Sequence, residues 1–167
     1  MANRVEKAKR WIKAQLVYEP ECLLFIADCD DDCIAESLGA IYENGISAIE
    51  ESGSSTRFAV VIFNPEFEVL FLASSGNIPD CGECPIPIET VEQRRDAKSV
   101  FSKMIGRPYK ETLDQKKYTK YVDREALSKF SSGEHFLRVV DWIVNSDEQF
   151  YCHYSEGRNV NDGDFAP

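Results

Sequence analysis

Between residues 4 and 16, Val5, Ala8, Ile12 and Leu16 recur at intervals of three and four, while Lys7, Lys9, Arg10 and Lys13 fall outside that stripe. This is the pattern of a short amphipathic helix, ended by Tyr18-Glu19-Pro20. CLLFIA, residues 22–27, is apolar without a break, as expected of a strand covered on both faces and central in a sheet. A second helical phase follows in Ile34, Leu38, Ile41, Gly45 and Ile49, closed by Gly53-Ser54-Ser55. RFAVVIFN (57–64) and FEVLFLA (67–73) are β-rich runs separated by Pro65-Glu66, and together they predict an antiparallel hairpin.

The segment SSGNIPDCGECPIPIE, residues 74–89, holds too much glycine and proline for either regular state. A connection of that length inside a compact domain is usually functional or mobile. Thr90 and Gln93 fit a capping box, and Ala97, Val100, Phe101, Met104 and Ile105 supply the apolar face of the helix predicted after them, stopped by Gly106 and Pro108. From 109 to 133 the chain is charged and tyrosine-bearing, with a short helix at 123–130. HFLRVVDWIV (135–144) fits a helix through Phe136, Val140 and Ile143, and fits a strand through its β-branched residues. QFYCHYS (149–155) alternates as a strand with Phe150, Cys152 and Tyr154 on one side. No repeat or linker divides the chain. The expected fold is therefore α/β of the α+β type: a single domain over 1–156, with a mostly antiparallel sheet, a central hairpin and helices packed on it, and a polar tail over 157–167.

Composition narrows the class. A chain of 167 residues, 43% hydrophobic, can bury one core. Its opening, MANRVEKAKRWIKAQL, lacks the apolar run of about 7–15 residues of a secretory signal, and no stretch approaches the roughly 20 that span a bilayer. The expectation is a cytoplasmic protein without membrane contact, whose cysteines stay as thiols or metal ligands. Net charge is −10, unevenly spread: residues 14–56 carry ten carboxylates and no base, whereas residues 89–138 carry twelve bases against eight acids. An acidic balance disfavours nucleic acid. The acidic stretch predicts a face for a basic partner protein, built from Asp28, Asp30, Asp31, Asp32, Glu36 and Glu43. The blander reading is a solvated surface whose aspartates cap the helix that follows.

Two cysteine pairs raise the question of metal. CDDDC (29–33) and CGEC (81–84) could give zinc four thiolates, Cys29, Cys33, Cys81 and Cys84, each about 2.3 Å from the ion. Small buried residues are the ordinary role of cysteine, and Cys81 with Cys84 could instead form a redox pair, although CPIPIE delays the helix that usually begins at such a motif. Aspartates crowding Cys29 and Cys33 raise thiol pKa values and keep both sulfurs protonated unless a cation intervenes. DCDDDCIAESLG lacks the spaced ligands and turn glycine of an EF-hand. A zinc deaminase would need its His-x-Glu element upstream of the second pair, and His135 and His153 both lie downstream. There is no phosphate-cradling glycine loop, nucleophile elbow or zinc-protease motif.

The order of helix, apolar strand, aspartates, helix, hairpin and loop, together with AVVIFNPEFEVLFLASSG (59–76) and RRDAKSVFSKMIGRP (94–108), resembles the haem-binding and haem-degrading family whose fold is related to the C-terminal domain of a corrinoid adenosyltransferase. The likeness spans roughly residues 22–110. It departs at Asn64-Pro65-Glu66, where the family has a glycine turn, and it lacks the family's Arg-Met-Asp-Gly and Gly-Gly-x-Pro segments. What it implies is a small-molecule or haem-binding domain with the 74–88 loop beside the pocket. No residue is carried over as a ligand. The first functional expectation is a non-enzymatic acidic protein that binds a basic partner, as an inhibitor, immunity-type or adaptor protein, and needs no cofactor. A small-molecule or haem-binding domain and a zinc-stabilised domain are the alternatives.

Overall fold

The computed structural model describes residues 2–29 and 34–146. In chain order the elements are α1 (Ala2–Leu16), β1 (Cys22–Asp28), α2 (Ile34–Ser52), β2 (Arg57–Phe63), α3 (Val69–Ala73), α4 (Ala97–Met104), α5 (Glu111–Tyr118), α6 (Arg124–Leu127) and α7 (Ser131–Asn145), with 3-10 turns at Ser75–Asn77, Ile88–Gln93 and Thr119–Tyr121. The described chain divides into two compact units, residues 2–23 with 34–60 and residues 24–29 with 61–146. The strand expected at 149–155 and the tail at 157–167 lie outside the described residues.

In the first unit the predicted helical phases hold. Ala8, Ile12 and Leu16 of α1 are buried, as are Leu38, Ile41, Ala48 and Ile49 of α2, and the two helices pack on each other. Lys13 and Lys9 reach Glu51 at 2.9 and 3.8 Å. Gly45 lies where α2 crosses Phe58, so closely that any Cβ would run into the ring.

The expected mostly antiparallel sheet with a central hairpin is not present. Among the described residues the sheet has two strands, β1 and β2, running parallel, and the fold is helix-dominated α/β. Parallel strands need a long crossover, and α2 supplies it. The pairing runs from the Arg57 N–H donating to the Glu21 carbonyl at 2.9 Å to the Cys29 N–H donating to the Phe63 carbonyl at 2.8 Å. The second arm of the expected hairpin is α3, whose five residues are all buried. A run buried on every side shows no alternation, so periodicity cannot tell strand from helix there. Phe67 continues the chain of rings from the end of β2 into α3, edge-on to Phe63 at 5.4 Å and to Phe71 at 5.5 Å.

Burial on both faces also falls on the other strand. Phe58 to Phe63 of β2 are all essentially inaccessible, while β1 has a single buried residue, Leu23, and Ile26 is 40% exposed.

In the second unit, Phe71, Phe101, Tyr109 and Tyr118 form an aromatic cluster, with ring centres of Phe101 and Tyr118 at 5.2 Å. The helix expected from Thr90 starts later, after Asp96, because Thr90 Oγ1 donates to the Pro87 carbonyl at 3.1 Å and the chain turns as a 3-10 segment instead. Gly106, with φ of +68°, ends α4 as expected. The segment 135–144 is helical, inside α7. Its first turn is capped from a distance by Glu92, which accepts from the N–H groups of Ser131 and Ser132 at 2.9 and 3.0 Å.

Candidate functional site

Where β1 ends, its apolar residues are not covered by a third strand among the described residues. They form one wall of a cleft of about 650 Å³ within the second unit. Ile26, Ala27 and Asp28 come from the strand, Phe67 and Leu70 from the segment entering α3, and Phe136, Leu137 and Val140 from one stripe of α7. Gln115, Lys116, Thr119, Val122, Arg124 and Leu127 complete it from α5, the turn after it, and α6. An apolar interior with a few polar groups, at the carboxyl end of a parallel strand, is the usual setting of a small-molecule site.

The polar groups on the wall differ in how far they are committed. Asp28 Oδ1 accepts from the Phe67 N–H at 2.7 Å, which holds the turn after β2 against the end of β1. Its other oxygen lies 3.7 Å from Lys98 Nζ, which also reaches Glu111 at 2.9 Å. Arg124 donates to both oxygens of Asp141 at 2.8 Å. Thr119 Oγ1 donates to the Gln115 carbonyl at 2.6 Å. Lys116 is exposed and makes no ion pair among the described residues.

Glu68 lies between two cleft residues in sequence but not on the cleft wall. It is fully buried, and its carboxylate and the Tyr109 hydroxyl are close enough to interact without forming a well-aligned hydrogen bond. Burial, the largest influence, pushes the Glu68 carboxyl above its usual range, opposed by Tyr109 and by the charge of Lys98. Burial followed by the neighbouring Glu68 pushes the Tyr109 hydroxyl up as well. Nearby, Asp114 is held below the usual carboxylate range chiefly by Arg107, which donates to its two oxygens at 2.8 and 2.6 Å.

Three of the six residues of the predicted partner face are described. Asp28 is half-buried in the cleft wall, Glu36 and Glu43 are exposed on α2, and Asp30, Asp31 and Asp32 lie outside the described residues. Of the four thiols proposed for zinc, Cys29 is buried beyond β1, Cys81 and Cys84 are partly exposed, and Cys33 lies outside the described residues. Cys81 and Cys84 lie near enough to interact, and the Cys81 thiol is pushed up first by burial and then by Cys84. Among the described residues no three His, Cys, Asp or Glu side chains gather as a metal site. The 74–88 loop borders a smaller cleft of about 380 Å³, with Cys84, Ile86 and Pro87 on its wall.

Sequence reasoning missed Lys116, Arg124 and the α7 stripe. The one available signal was Phe136 and Val140 at helical spacing in a segment that also fitted a strand. Among the described residues no helix is long and apolar enough to cross a membrane. No family model matches the chain, and no curated protein or solved structure matches it. The chemistry of the cleft itself therefore carries the functional reading.

Proposed function

We propose that this chain is a small-molecule-binding α/β domain whose site is the cleft beside the end of β1. The observation that supports this best is Ile26, an apolar strand residue 40% exposed on the wall of a 650 Å³ cleft that is otherwise lined mainly by aliphatic and phenyl side chains. Leaving such surface to water costs about 25 cal/mol per Å², a cost that a bound apolar ligand removes. The described wall holds no histidine, cysteine, methionine or tyrosine that could ligate haem iron, so an organic ligand held by its apolar body is the form of this reading the site favours. The anionic apolar dye anilinonaphthalene sulfonate should bind the native chain with a fluorescence rise. Leu137→Trp, which fills the cleft from α7, should abolish that rise without lowering the unfolding temperature. An unchanged signal in that variant would place the dye elsewhere and defeat the reading.

A second reading keeps the acidic partner-binding face. Glu36, Glu43 and Glu50 are all exposed at seven-residue steps along α2, where a helix drifts only about 20°, and none has an ion pair among the described residues. Reversing all three to lysine should leave the fold intact, since exposed substitutions usually cost within about 0.5 kcal/mol, and should remove salt-sensitive capture of a basic protein. Capture indifferent to both salt and the reversal would show this face to be solvated surface.

A further inference from the structure

Resting on the cleft reading, we infer that the ligand is an amphipathic organic acid, an apolar body carrying one carboxylate, with Lys116 as the residue that reads the acid group. Three charged residues line the cleft. Asp28 is engaged by the Phe67 N–H at 2.7 Å and faces Lys98 at 3.7 Å. Arg124 is held by both oxygens of Asp141. Lys116 alone among these three has no ion pair among the described residues.

A cationic ligand would bring no partner to Lys116, and would find Asp28 already supplied with a backbone donor and a neighbouring ammonium. A neutral apolar ligand would leave Lys116 at the rim with nothing gained. A carboxylate gains a charge-assisted contact there, while its apolar body covers Ile26. Because Lys116 is exposed, the contact is solvent-screened and contributes selectivity more than affinity.

The test uses the full chain and two probes of equal length, dodecanoate and dodecanol, titrated calorimetrically below the concentrations at which they aggregate. The expected result is a preference for dodecanoate of roughly two- to fivefold, the scale of an exposed ion pair. Lys116→Gln should reduce that preference to parity with the unfolding temperature unchanged. Equal binding of both probes by the native chain would overturn the acid inference and leave the cleft reading standing. A preference that survives Lys116→Gln would overturn the role of Lys116. Binding of neither probe, or undiminished binding of both to Leu137→Trp, would defeat the cleft reading and the inference with it. A concentration-dependent dimer broken by Leu137→Trp would make a second copy the occupant and overturn the inference in favour of self-association.

Discussion

Glu68 is the residue at which stability and the surroundings of the cleft meet most directly. Burial of this carboxyl outweighs the Tyr109 hydroxyl and the charge of Lys98 beside it, so it resists ionisation and its folded pKa is raised. The consequence for pH has a definite sign. Below the ordinary carboxylate range, about 4.3, Glu68 is protonated in the folded and unfolded chains alike and costs nothing through ionisation. As pH rises, the unfolded chain ionises first, and stability is lost until the folded pKa is passed. Glu68→Gln should therefore match the native chain near pH 4 and exceed it above the folded pKa, by about 1–3 kcal/mol, the scale for a buried polar group without a well-aligned partner. Asp114, with its lowered pKa, contributes stability that is lost only as pH falls through that pKa, and it is common to both proteins, so it does not affect the comparison. Chemical denaturation across pH 4–8 reads the difference. A constant gap, or a native chain more stable at high pH, would mean that Glu68 is well partnered when ionised.

At the scale of the element, α2 offers an internal contrast between two glycines. At Gly45 a Cβ would strike the ring of Phe58, itself fully buried and stacked on Tyr42 with ring centres at 6.1 Å. At Gly39 nothing lies within 4 Å of the added atom. Replacing either glycine by alanine gains about 0.5–1 kcal/mol in helix propensity, but overpacking a core typically costs about 1–3 kcal/mol. Gly39→Ala should therefore stabilise the chain and Gly45→Ala should destabilise it. Equal unfolding midpoints for the two variants would show that α2 does not cross Phe58 at Gly45.

The elements also show what the sequence could and could not reveal. Where one face is buried and the other solvated, as in α1 and α2, Ile12, Leu38 and Ile41 announced their phase, and the helices formed where the pattern put them. Where a segment is buried all round, the pattern carries no such information. Val69–Ala73 read as a strand and folded as α3, which removed the hairpin and with it the antiparallel sheet. The hairpin was also part of what carried the likeness to the haem-binding family. CLLFIA misled in the opposite direction, because its continuous apolar character belongs partly to a cleft wall and not to a second covering layer. The cleft itself was illegible for a related reason. Its walls come from β1, α5, α6 and α7, and only the fold brings Ile26 near Leu137.

For the whole molecule, the cleft draws on both charged stretches of the chain, taking Asp28 from the acidic one and Lys116 and Arg124 from the basic one. Four of the ten acids of residues 14–56, Glu36, Glu43, Glu50 and Glu51, lie on α2. A net charge of −10 repels anions at long range, so an organic acid reaching the cleft depends on local cations whose influence falls off over about 10 Å at 0.1 M salt. Raising salt should weaken dodecanoate binding through Lys116 only modestly, whereas capture of a basic protein by α2 should fall steeply. Methyl NMR of the native chain during titration with dodecanoate shows whether the cleft is the binding site. The methyl signals of Ile26, Leu70, Leu137 and Val140 should shift together and saturate, while those of Ala48 and Ile49 stay in place. Saturable shifts confined to methyls away from the cleft, or no shifts at concentrations short of aggregation, would contradict binding in the cleft.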